Sequence, residues 1–348
     1  MIRLRELAFG IVAIVLVILY VSVASRIAPA LTPGANPTPT PTKPVERVQV
    51  PGPSVSGTIA FAIRGDVYVL ASGGYVPLTS EGRSHQPSIS PDGRTVVFAR
   101  VEQIDGKRMV DGQVVPAQLR FSNVVMKDAR GGTERILIDG LIKASSGFHE
   151  VTWFDTPAPS PDGKRIAVVA DAGNGYSDLA LYDTQTGKRA APPLSQGSNL
   201  ADPAWSPDGK TIAVTSYTLG EPRLLLVSAD GRQSNPVKLG TGGEPYRPSY
   251  SPDGSWLTYT LRHEGRNDLH AVQVSSGRDV TLTSDGKSWN GVFSPDGKQL
   301  AFLRERDGVI DLYFMDLGDA LSGGSPKPAV KLTRGEGIDG ASRPAWGA

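Results

Sequence analysis

Five aspartates share one sequence context and could do chemistry together. Each is the third residue of a Ser-Pro-Asp-Gly segment, and the five are Asp92, Asp162, Asp208, Asp253 and Asp296. Carboxylates that converge on one point could bind a metal ion or exchange protons with a substrate. Whether these five converge depends on the elements that carry them.

The surroundings of the five segments form a repeat. Their serines, Ser90, Ser160, Ser206, Ser251 and Ser294, follow one another at intervals of 70, 46, 45 and 43 residues. Each glycine is followed by a short β-rich run, such as RTVVFAR or KTIAVTS. A third run often opens with Asp, as in DLALYD, and a fourth follows a glycine-containing turn. Each repeat is therefore about four short antiparallel strands, which predicts one blade of a β-propeller.

A sixth copy begins in the last residues of the chain, SRPAWGA, and ends after its first strand. The strands that it lacks stand at the other end of the domain, as GTIAFAI (57–63), DVYVLA (66–71) and YVPLT (75–79). We therefore predict an all-β, six-bladed propeller over residues 57–348, with four-stranded blades. One blade is shared by the N- and C-terminal strands, which leaves no open sheet edge at the seam of the ring.

This pattern resembles the TolB-type (WD40-like) β-propeller family, whose repeats carry a Pro-x-aromatic-Ser-Pro-Asp-Gly signature. The resemblance covers residues 57–348 and implies the fold more strongly than a function. TolB itself has an additional α/β domain before its propeller, and an anchor and a spacer are expected in that place here. The Tol–Pal partnership of TolB is therefore not carried over. A similar propeller precedes the hydrolase domain of prolyl-oligopeptidase relatives, but this sequence contains no G-x-S-x-G motif.

In a propeller the five aspartates belong to five different blades, too far apart to share one ion. The segment also has the composition of a tight turn, because proline presets φ, aspartate accepts hydrogen bonds from nearby amides, and glycine tolerates a positive φ. We predict structural turns and no metal site. The turn glycines are Gly93, Gly163, Gly209, Gly254 and Gly297.

The residues four and five positions before each serine enter the innermost strand and should surround one mouth of the central channel. A mixed ring of donors and acceptors there is the predicted ligand site. The alternative is a solvated rim that satisfies its own charges, for example Asp202 with Arg247. The residues directly before the serines alternate with small ones and are interpreted as packing between blades. The candidates for the ring are His85, Gln86, Asp155, Thr156, Asp202, Tyr246, Arg247, Trp289, Asn290 and Arg343.

The first blade is longer than the others, and its excess lies in Glu102–Arg120 and Leu141–Phe154. The first insertion could be a projecting hairpin that turns at Asp105-Gly106 or at Asp111-Gly112. Long loops on a rigid scaffold often carry binding, although tolerated drift in loop length is the alternative.

The N-terminal segment predicts a membrane anchor. Leu7–Ser25 contains no charge and, as a helix, would span roughly 28 Å. Arg3 and Arg5 then place residues 1–6 in the cytoplasm and the remainder outside. A cleaved signal peptide is the alternative. Residues 26–56 are rich in proline and threonine and predict an extracellular linker that joins no sheet or helix.

Composition excludes several classes of function. The chain has 36 Lys and Arg against 35 Asp and Glu, so no nucleic-acid footprint is expected, and it has no cysteine for a thiol nucleophile or a Cys-ligated zinc. No cofactor and no catalytic residue is predicted. We expect a membrane-anchored module that binds an envelope protein or a cell-wall glycan. The alternative is a hydrolase or lyase at the channel mouth, acting on sugars or peptides, which would need Asp155, Asp202 and His85 within hydrogen-bond reach.

Overall fold

The computed structural model describes residues 48–49, 55–71, 73–110, 113–143, 149–171, 173, 175–190, 199–218 and 220–348. The predicted anchor, Leu7–Ser25, lies outside these residues. Among the helices of the described part, none has the length and apolar character needed to cross a bilayer.

The described residues form 26 strands and one 3₁₀ turn, Ala320–Ser322. The strands are β1 (Val48–Gln49), β2 (Thr58–Ile63), β3 (Asp66–Ala71), β4 (Gly74–Pro77), β5 (Ser84–Ile89), β6 (Thr95–Val110), β7 (Gln113–Asp128), β8 (Arg135–Ile138), β9 (Leu141–Lys143), β10 (His149–Val151), β11 (Trp153–Pro159), β12 (Arg165–Asp171), β13 (Asp178–Asp183), β14 (Leu200–Trp205), β15 (Thr211–Ser216), β16 (Arg223–Ser228), β17 (Ser234–Pro236), β18 (Glu244–Tyr250), β19 (Trp256–His263), β20 (Arg266–Gln273), β21 (Asp279–Thr281), β22 (Ser288–Phe293), β23 (Gln299–Arg306), β24 (Val309–Asp316), β25 (Val330–Lys331) and β26 (Ala345–Gly347).

Six antiparallel sheets form the blades, which confirms the predicted six-bladed propeller. Blades 1, 3, 4 and 5 are β5-β6-β7-β8, β14-β15-β16-β17, β18-β19-β20-β21 and β22-β23-β24-β25. Blade 2 is β11-β12-β13 within the described residues, and an isolated bridge joins Tyr182 to Arg189 beyond β13. Blade 6 is β26-β2-β3-β4, with β1 on its outer edge.

Blade 6 closes the ring as predicted, because the C-terminal strand β26 pairs with the N-terminal strand β2. Thr58 lies opposite Gly347 and Ala60 opposite Ala345. The expectation that no part of residues 26–56 joins a sheet is wrong at Val48–Gln49, which pair with Tyr75 and Gly74. The physical reason is local, since these two residues lie between Pro44 and Pro51 and keep free backbone amides.

The core consists of six apolar clusters, one between each pair of neighbouring blades. Leu179 and Leu181 of blade 2 pack with Val214 of blade 3, for example. Leu312 of blade 5 likewise packs with Phe61 of blade 6. Strand alternation causes this arrangement, because both faces of each sheet must be apolar to contact a blade on each side.

The propeller has two faces, which we name by their features. The turn face carries the Ser-Pro-Asp-Gly turns. The bulge face is the opposite one, where the innermost strands begin at residues such as Ser84 and Trp153.

Both insertions of blade 1 rise from the bulge face. Strands β6 and β7 continue to Val110 and Gln113, which pair with each other, and Asp105-Gly106 lies inside β6. The hairpin therefore does not turn at Asp105-Gly106, the first of the two predicted positions, and Asp111-Gly112, the second, lies outside the described residues. Beyond the sheet, Val101–Val110 and Gln113–Ser122 form a two-stranded projection, which we call the arm.

The second insertion is the hairpin of β9 and β10, and its base is fixed to the base of the arm. Gly140 donates its amide to Asn123 Oδ1 at 2.8 Å, and Thr152 donates its amide to the Gly140 carbonyl at 2.8 Å. A Cβ on Gly140 would lie 2.2 Å from the Ser122 carbonyl oxygen, so only glycine fits this junction.

Candidate functional site

A β-bulge interrupts the innermost strand of five blades at the same place. The residue four positions before each serine has a positive φ, between 45° and 61°. Pairing shifts there, so that two residues oppose one on the next strand. The residue after it does not have to donate a backbone hydrogen bond to the neighbouring strand. Proline, which has no amide hydrogen, therefore occupies this position in four of the five blades. The five residues are Gln86, Thr156, Asp202, Arg247 and Asn290.

The bulges also join neighbouring blades, because they turn a backbone amide out of its own sheet. The amide of Arg247 donates to Thr215 Oγ1 of blade 3 at 3.0 Å. The amide of Asn290 donates to Thr260 Oγ1 of blade 4, also at 3.0 Å. The ring therefore holds the bulge side chains at a fixed position around the channel.

Two arginines cross the channel at this level, and we call them the crossbar. Arg247 Nε lies 3.5 Å from Asp202 Oδ1, so the predicted rim pair is present. Arg343 donates from Nη1 to the Pro248 carbonyl at 2.6 Å and from Nη2 to the Pro203 carbonyl at 3.1 Å. Burial lowers the pKa of Arg343, and the charge of Asp202 opposes this effect. The crossbar divides the channel into a bulge-face half and a turn-face half.

Other predicted ring residues contact the backbone just before β26. Trp289 Nε1 donates to the Gly340 carbonyl at 2.9 Å, and Gln86 Nε2 donates to the Ala341 carbonyl at 3.0 Å. Arg247 Nη2 donates to the same Ala341 carbonyl. These groups join the seam blade to its neighbours across the channel.

Asp155 is the ring carboxylate without a cationic arginine beside it. Its Oδ1 accepts the Thr156 amide at 2.9 Å and lies 3.7 Å from His85 Nε2. More than a third of its side chain, 37 %, still faces the channel. Burial raises the pKa of Asp155, His85 opposes the rise, and the charge of Asp202 adds to it.

Two further polar atoms of the ring have unused hydrogen-bonding capacity. Thr156 Oγ1 and Asn290 Oδ1 are buried and have no hydrogen-bond partner within the described residues. Asn290 Nδ2 contacts the Gly340 carbonyl at 3.4 Å. A buried polar atom without a partner is costly, so water or a ligand at these atoms would stabilise the ring.

Aromatic side chains surround the bulge-face mouth. The Trp153 ring lies 6.4 Å from the His85 ring, centroid to centroid. Tyr246 donates from its hydroxyl to Asn267 Oδ1 at 3.1 Å. Tyr217 is 40 % exposed, and burial of its hydroxyl together with the charge of Asp202 raises its pKa to about 12. Trp153 and Tyr217 were not among the predicted site residues, because they precede or follow the positions fixed by the repeat.

The acid and base groups of the ring do not meet within hydrogen-bond distance. The 3.7 Å between His85 Nε2 and Asp155 is beyond hydrogen-bond reach. Asp202 accepts the Thr215 hydroxyl at 3.2 Å in addition to its contact with Arg247. In the described part of the chain, no group of three acidic or histidine side chains is placed to hold a metal ion.

Hydrogen bonds within each turn account for the Ser-Pro-Asp-Gly repeat. In blade 3, Ser206 donates from Oγ to Asp208 Oδ1 at 2.6 Å, and the Lys210 amide donates to the same oxygen at 3.1 Å. The Ser206 hydroxyl oxygen in turn accepts the Thr211 amide at 3.0 Å. These donors lower the pKa of Asp208. The other four turns repeat the bonds to the aspartate and to the serine oxygen.

One more turn of this kind lies where the sequence predicted only a glycine-containing turn. Ser228 donates to Asp230 Oδ1 at 2.6 Å, and the Gln233 amide donates to Ser228 Oγ at 2.9 Å. This turn joins β16 to β17 in blade 3. The signal was present as Ser-Ala-Asp-Gly, which keeps every group that the bonds use and lacks only the proline.

The turn-face half of the channel is a funnel that the sequence did not predict. It is a cavity of about 350 Å³, with Arg343 from the crossbar at its inner end. The residues interpreted as packing between blades do pack there, but several of them also form its wall. The wall consists of the turn prolines Pro91, Pro161, Pro207, Pro252 and Pro295 and the preceding residues Ile89, Pro159, Trp205, Tyr250, Phe293 and Trp346.

Comparisons with known proteins agree with this architecture. Residues 149–320 match the protein-family profile PD40, described as the TolB beta propeller domain. The chain is 29 % identical to the Tol-Pal system protein TolB of Anaeromyxobacter dehalogenans, over 65 % of this chain and 52 % of that protein. It is 36 % identical to a protein TolB homolog of Chlorobium luteolum, over 59 % of this chain and 44 % of the homolog. The match thus spans about half the length of these relatives.

A solved structure shows the same fold. The crystal structure of TolB from Acinetobacter baumannii superposes with a TM-score of 0.62 at 19 % identity, covering 85 % of this chain and 68 % of that one. At this identity the likeness concerns the fold alone.

Proposed function

Because the chain carries a TolB-type β-propeller, we propose that it is a binding module of the cell envelope. In this proposal Leu7–Ser25 anchors it in the membrane with residues 1–6 in the cytoplasm. Residues 26–56 form the linker, and the propeller at 57–348 acts outside the cytoplasm. The observation that carries the binding role is the concentration of unusual features on the bulge face.

Three features of the bulge face support a binding role. Within the described residues Asp155 has no arginine or lysine within 4.0 Å and lies 3.7 Å from His85, and Thr156 and Asn290 each carry a buried polar atom without a hydrogen-bond partner. Tyr217 is exposed beside the mouth. The bases of both insertions lie near the start of the innermost strands, since the Val101 amide donates to the Arg83 carbonyl at 2.9 Å and the Ser122 amide donates to the Thr152 carbonyl at 3.4 Å. A partner that sits on this mouth would therefore also contact the insertions.

We favour a protein of the envelope as the partner. The arm offers a long two-stranded surface, with Val114 about half exposed near its end, and such a surface suits a protein more than a short glycan. The relatives named Tol-Pal system proteins support a protein partner in general and specify none for this chain. A cell-wall glycan is the second candidate, supported by the exposed aromatic rings at the mouth.

Photocrosslinking from single positions tests the choice of face. A photoreactive amino acid is placed at Val114 or Tyr217 on the bulge face of the full chain in living cells. The control is Lys210, a position on the turn face whose side chain is even more exposed, at 82 %. We expect a discrete crosslinked protein from Val114 and Tyr217, weakened by Asp155→Asn, and none from Lys210. Crosslinks from Lys210 alone would contradict the proposal.

The anchor and the glycan alternative need separate measurements. A retained anchor predicts that the chain stays in the membrane pellet after alkaline carbonate extraction and keeps its N-terminal residues by mass spectrometry. A cleaved signal predicts a soluble chain that lacks them. If no protein is crosslinked but the full chain sediments with insoluble cell wall, and Tyr217→Ala abolishes this, the glycan is the partner.

A further inference from the structure

The turn-face funnel is separate from the proposed bulge-face site, because the crossbar lies between them. We propose that this funnel binds the carboxy-terminal end of a peptide, with apolar side chains against its wall and the terminal carboxylate on Arg343. The proposal does not depend on the function proposed for the bulge face.

The wall suits apolar groups. Proline rings surround the opening, and the side chains of Trp205, Tyr250 and Phe293 line it. A cavity of about 350 Å³ is within the range of pockets that hold small ligands or the end of a chain. Rigid rings lose little conformational entropy when they are covered, which favours binding at such a surface.

The floor suits an anion. Arg343 enters the channel from blade 6 and lies at the level of the bulges, deeper than the wall residues. Within the described residues it has no carboxylate within 4.0 Å, and its hydrogen bonds go to the Pro203 and Pro248 carbonyls. Two of the five guanidinium N–H groups are used in this way, which leaves donors for a ligand. A buried cation without an ion pair is costly, so a carboxylate that reaches it gains more than it would at the surface.

The polar part of the wall favours a peptide over a fatty acid. Ser88 and Ser249 line the funnel between the apolar rings. A peptide backbone entering the funnel needs hydrogen-bond partners for its own amides, and these groups can supply them. An acyl chain has no amides and would form no hydrogen bonds with them.

Three probes test the proposal on the full chain in detergent. They are the tripeptide acetyl-Phe-Leu-Phe with a free carboxylate, the same peptide as a carboxamide, and decanoate. Quenching of tryptophan fluorescence and isothermal calorimetry report binding. We expect the free acid to bind about tenfold or more tightly than the carboxamide, and its affinity to fall with added salt. Because the protein is unchanged in this comparison, folding cannot affect it.

Variants then identify the cationic residue that binds the terminal carboxylate. Arg343→Met should remove the preference for the free acid, and Arg343→Lys should restore part of it, since lysine keeps the charge without the planar fork. Lys210→Met is the matched control, because it removes a cation from the same face at a distance from the floor. It should leave the preference unchanged. Thermal melting shows which variants are folded.

Four outcomes would overturn the proposal. They are equal binding of the acid and the carboxamide, no binding of either at millimolar concentration, a loss with Lys210→Met as large as with Arg343→Met, and decanoate binding more tightly than the peptide acid. The last result would assign the funnel to acyl chains.

Discussion

The two halves of the channel are built from the same repeat, yet their side chains are used differently. On the turn face, Trp205 is 8 % exposed, donates from Nε1 to the Ala158 carbonyl at 3.0 Å, and belongs to the core between blades 2 and 3. On the bulge face, Tyr217 is 40 % exposed, and within the described residues Asp155 has no arginine or lysine within 4.0 Å. The turn face is therefore both wall and core, whereas exposed bulge-face residues such as Tyr217 can vary without loosening the ring.

The difference follows from the direction of the chain. In blades 1 to 5, the residue before each Ser-Pro-Asp-Gly segment lies beside a tight turn whose serine and aspartate are hydrogen-bonded, so its backbone is fixed. Residues on the bulge face lie beside connections that differ in length from blade to blade. In blade 1 these connections have grown into the arm and the β9–β10 hairpin. New contacts can be added there at little cost to the fold.

The largest expected effect is the loss of stability in Trp205→Ala. The substitution removes a buried indole, its hydrogen bond and its contact with the guanidinium of Arg165, 5.0 Å from the ring centroid. We expect the free energy of unfolding to fall by about 3–5 kcal/mol, measured by denaturant unfolding of the full chain. Tyr217→Ala is the matched control on the other face and should cost no more than about 0.5 kcal/mol. Equal losses in the two variants would remove the distinction between the faces.

The second prediction compares two carboxylates at opposite ends of β14. Asp202 is nearly buried and pairs with Arg247, whereas Asp208 lies in the turn with more than half of its side chain exposed. Asp202→Asn leaves the Arg247 guanidinium without its ion pair, so we expect a loss of about 3 kcal/mol. Asp208→Asn weakens a turn that water can solvate and should cost no more than about 1 kcal/mol. Urea unfolding of both variants measures the difference in the free energy of unfolding. A larger loss in Asp208→Asn would show that the Asp202–Arg247 pair stabilises the propeller less than the turn does.

The fold could be predicted from sequence because its determinants are local and repeated. Ser, Asp and Gly at fixed spacing specify the turn by hydrogen bonds that begin and end within six residues, as at Ser206–Thr211. Once the turns were placed, the strands around them had one consistent pairing. The shared blade followed from the incomplete copy at the C-terminus.

The bulges and the funnel could not be predicted in the same way. Gln86, Thr156 and Arg247 occupy the positive-φ position, although Gly, Asn, Asp and His are the residues that favour that conformation. The proline that follows could have indicated the bulge, since proline cannot donate the backbone hydrogen bond that a regular inner strand requires. The crossbar joins residues about a hundred positions apart, such as Arg343 and Pro248. No local sequence pattern indicates such a contact. The sequence therefore could not predict that the crossbar divides the channel into two halves.

The smallest expected effect has the opposite sign and concerns Asp155. Burial raises the pKa of this carboxyl in the folded protein above its ordinary value. Above that folded pKa, the ionised carboxylate costs stability, and the cost disappears as the pH falls through the folded pKa towards the unfolded one. Asp155→Asn should therefore stabilise the protein slightly at neutral pH, by up to about 1 kcal/mol after allowance for the exposed part of the side chain.

Thermal melting of the wild-type chain and Asp155→Asn between pH 3 and pH 8 measures this effect. The advantage of Asp155→Asn should be fully present at neutral pH and shrink as the medium becomes acidic. Asp202→Asn is the control, because its loss of stability comes from the Arg247 pair. A residue that costs stability and remains at the bulge-face mouth fits a binding role, since function can retain what folding does not require. If Asp155→Asn instead destabilised the propeller as Asp202→Asn is expected to do, Asp155 would be a structural member of the ring, and the bulge face would lose its main distinction from the turn face.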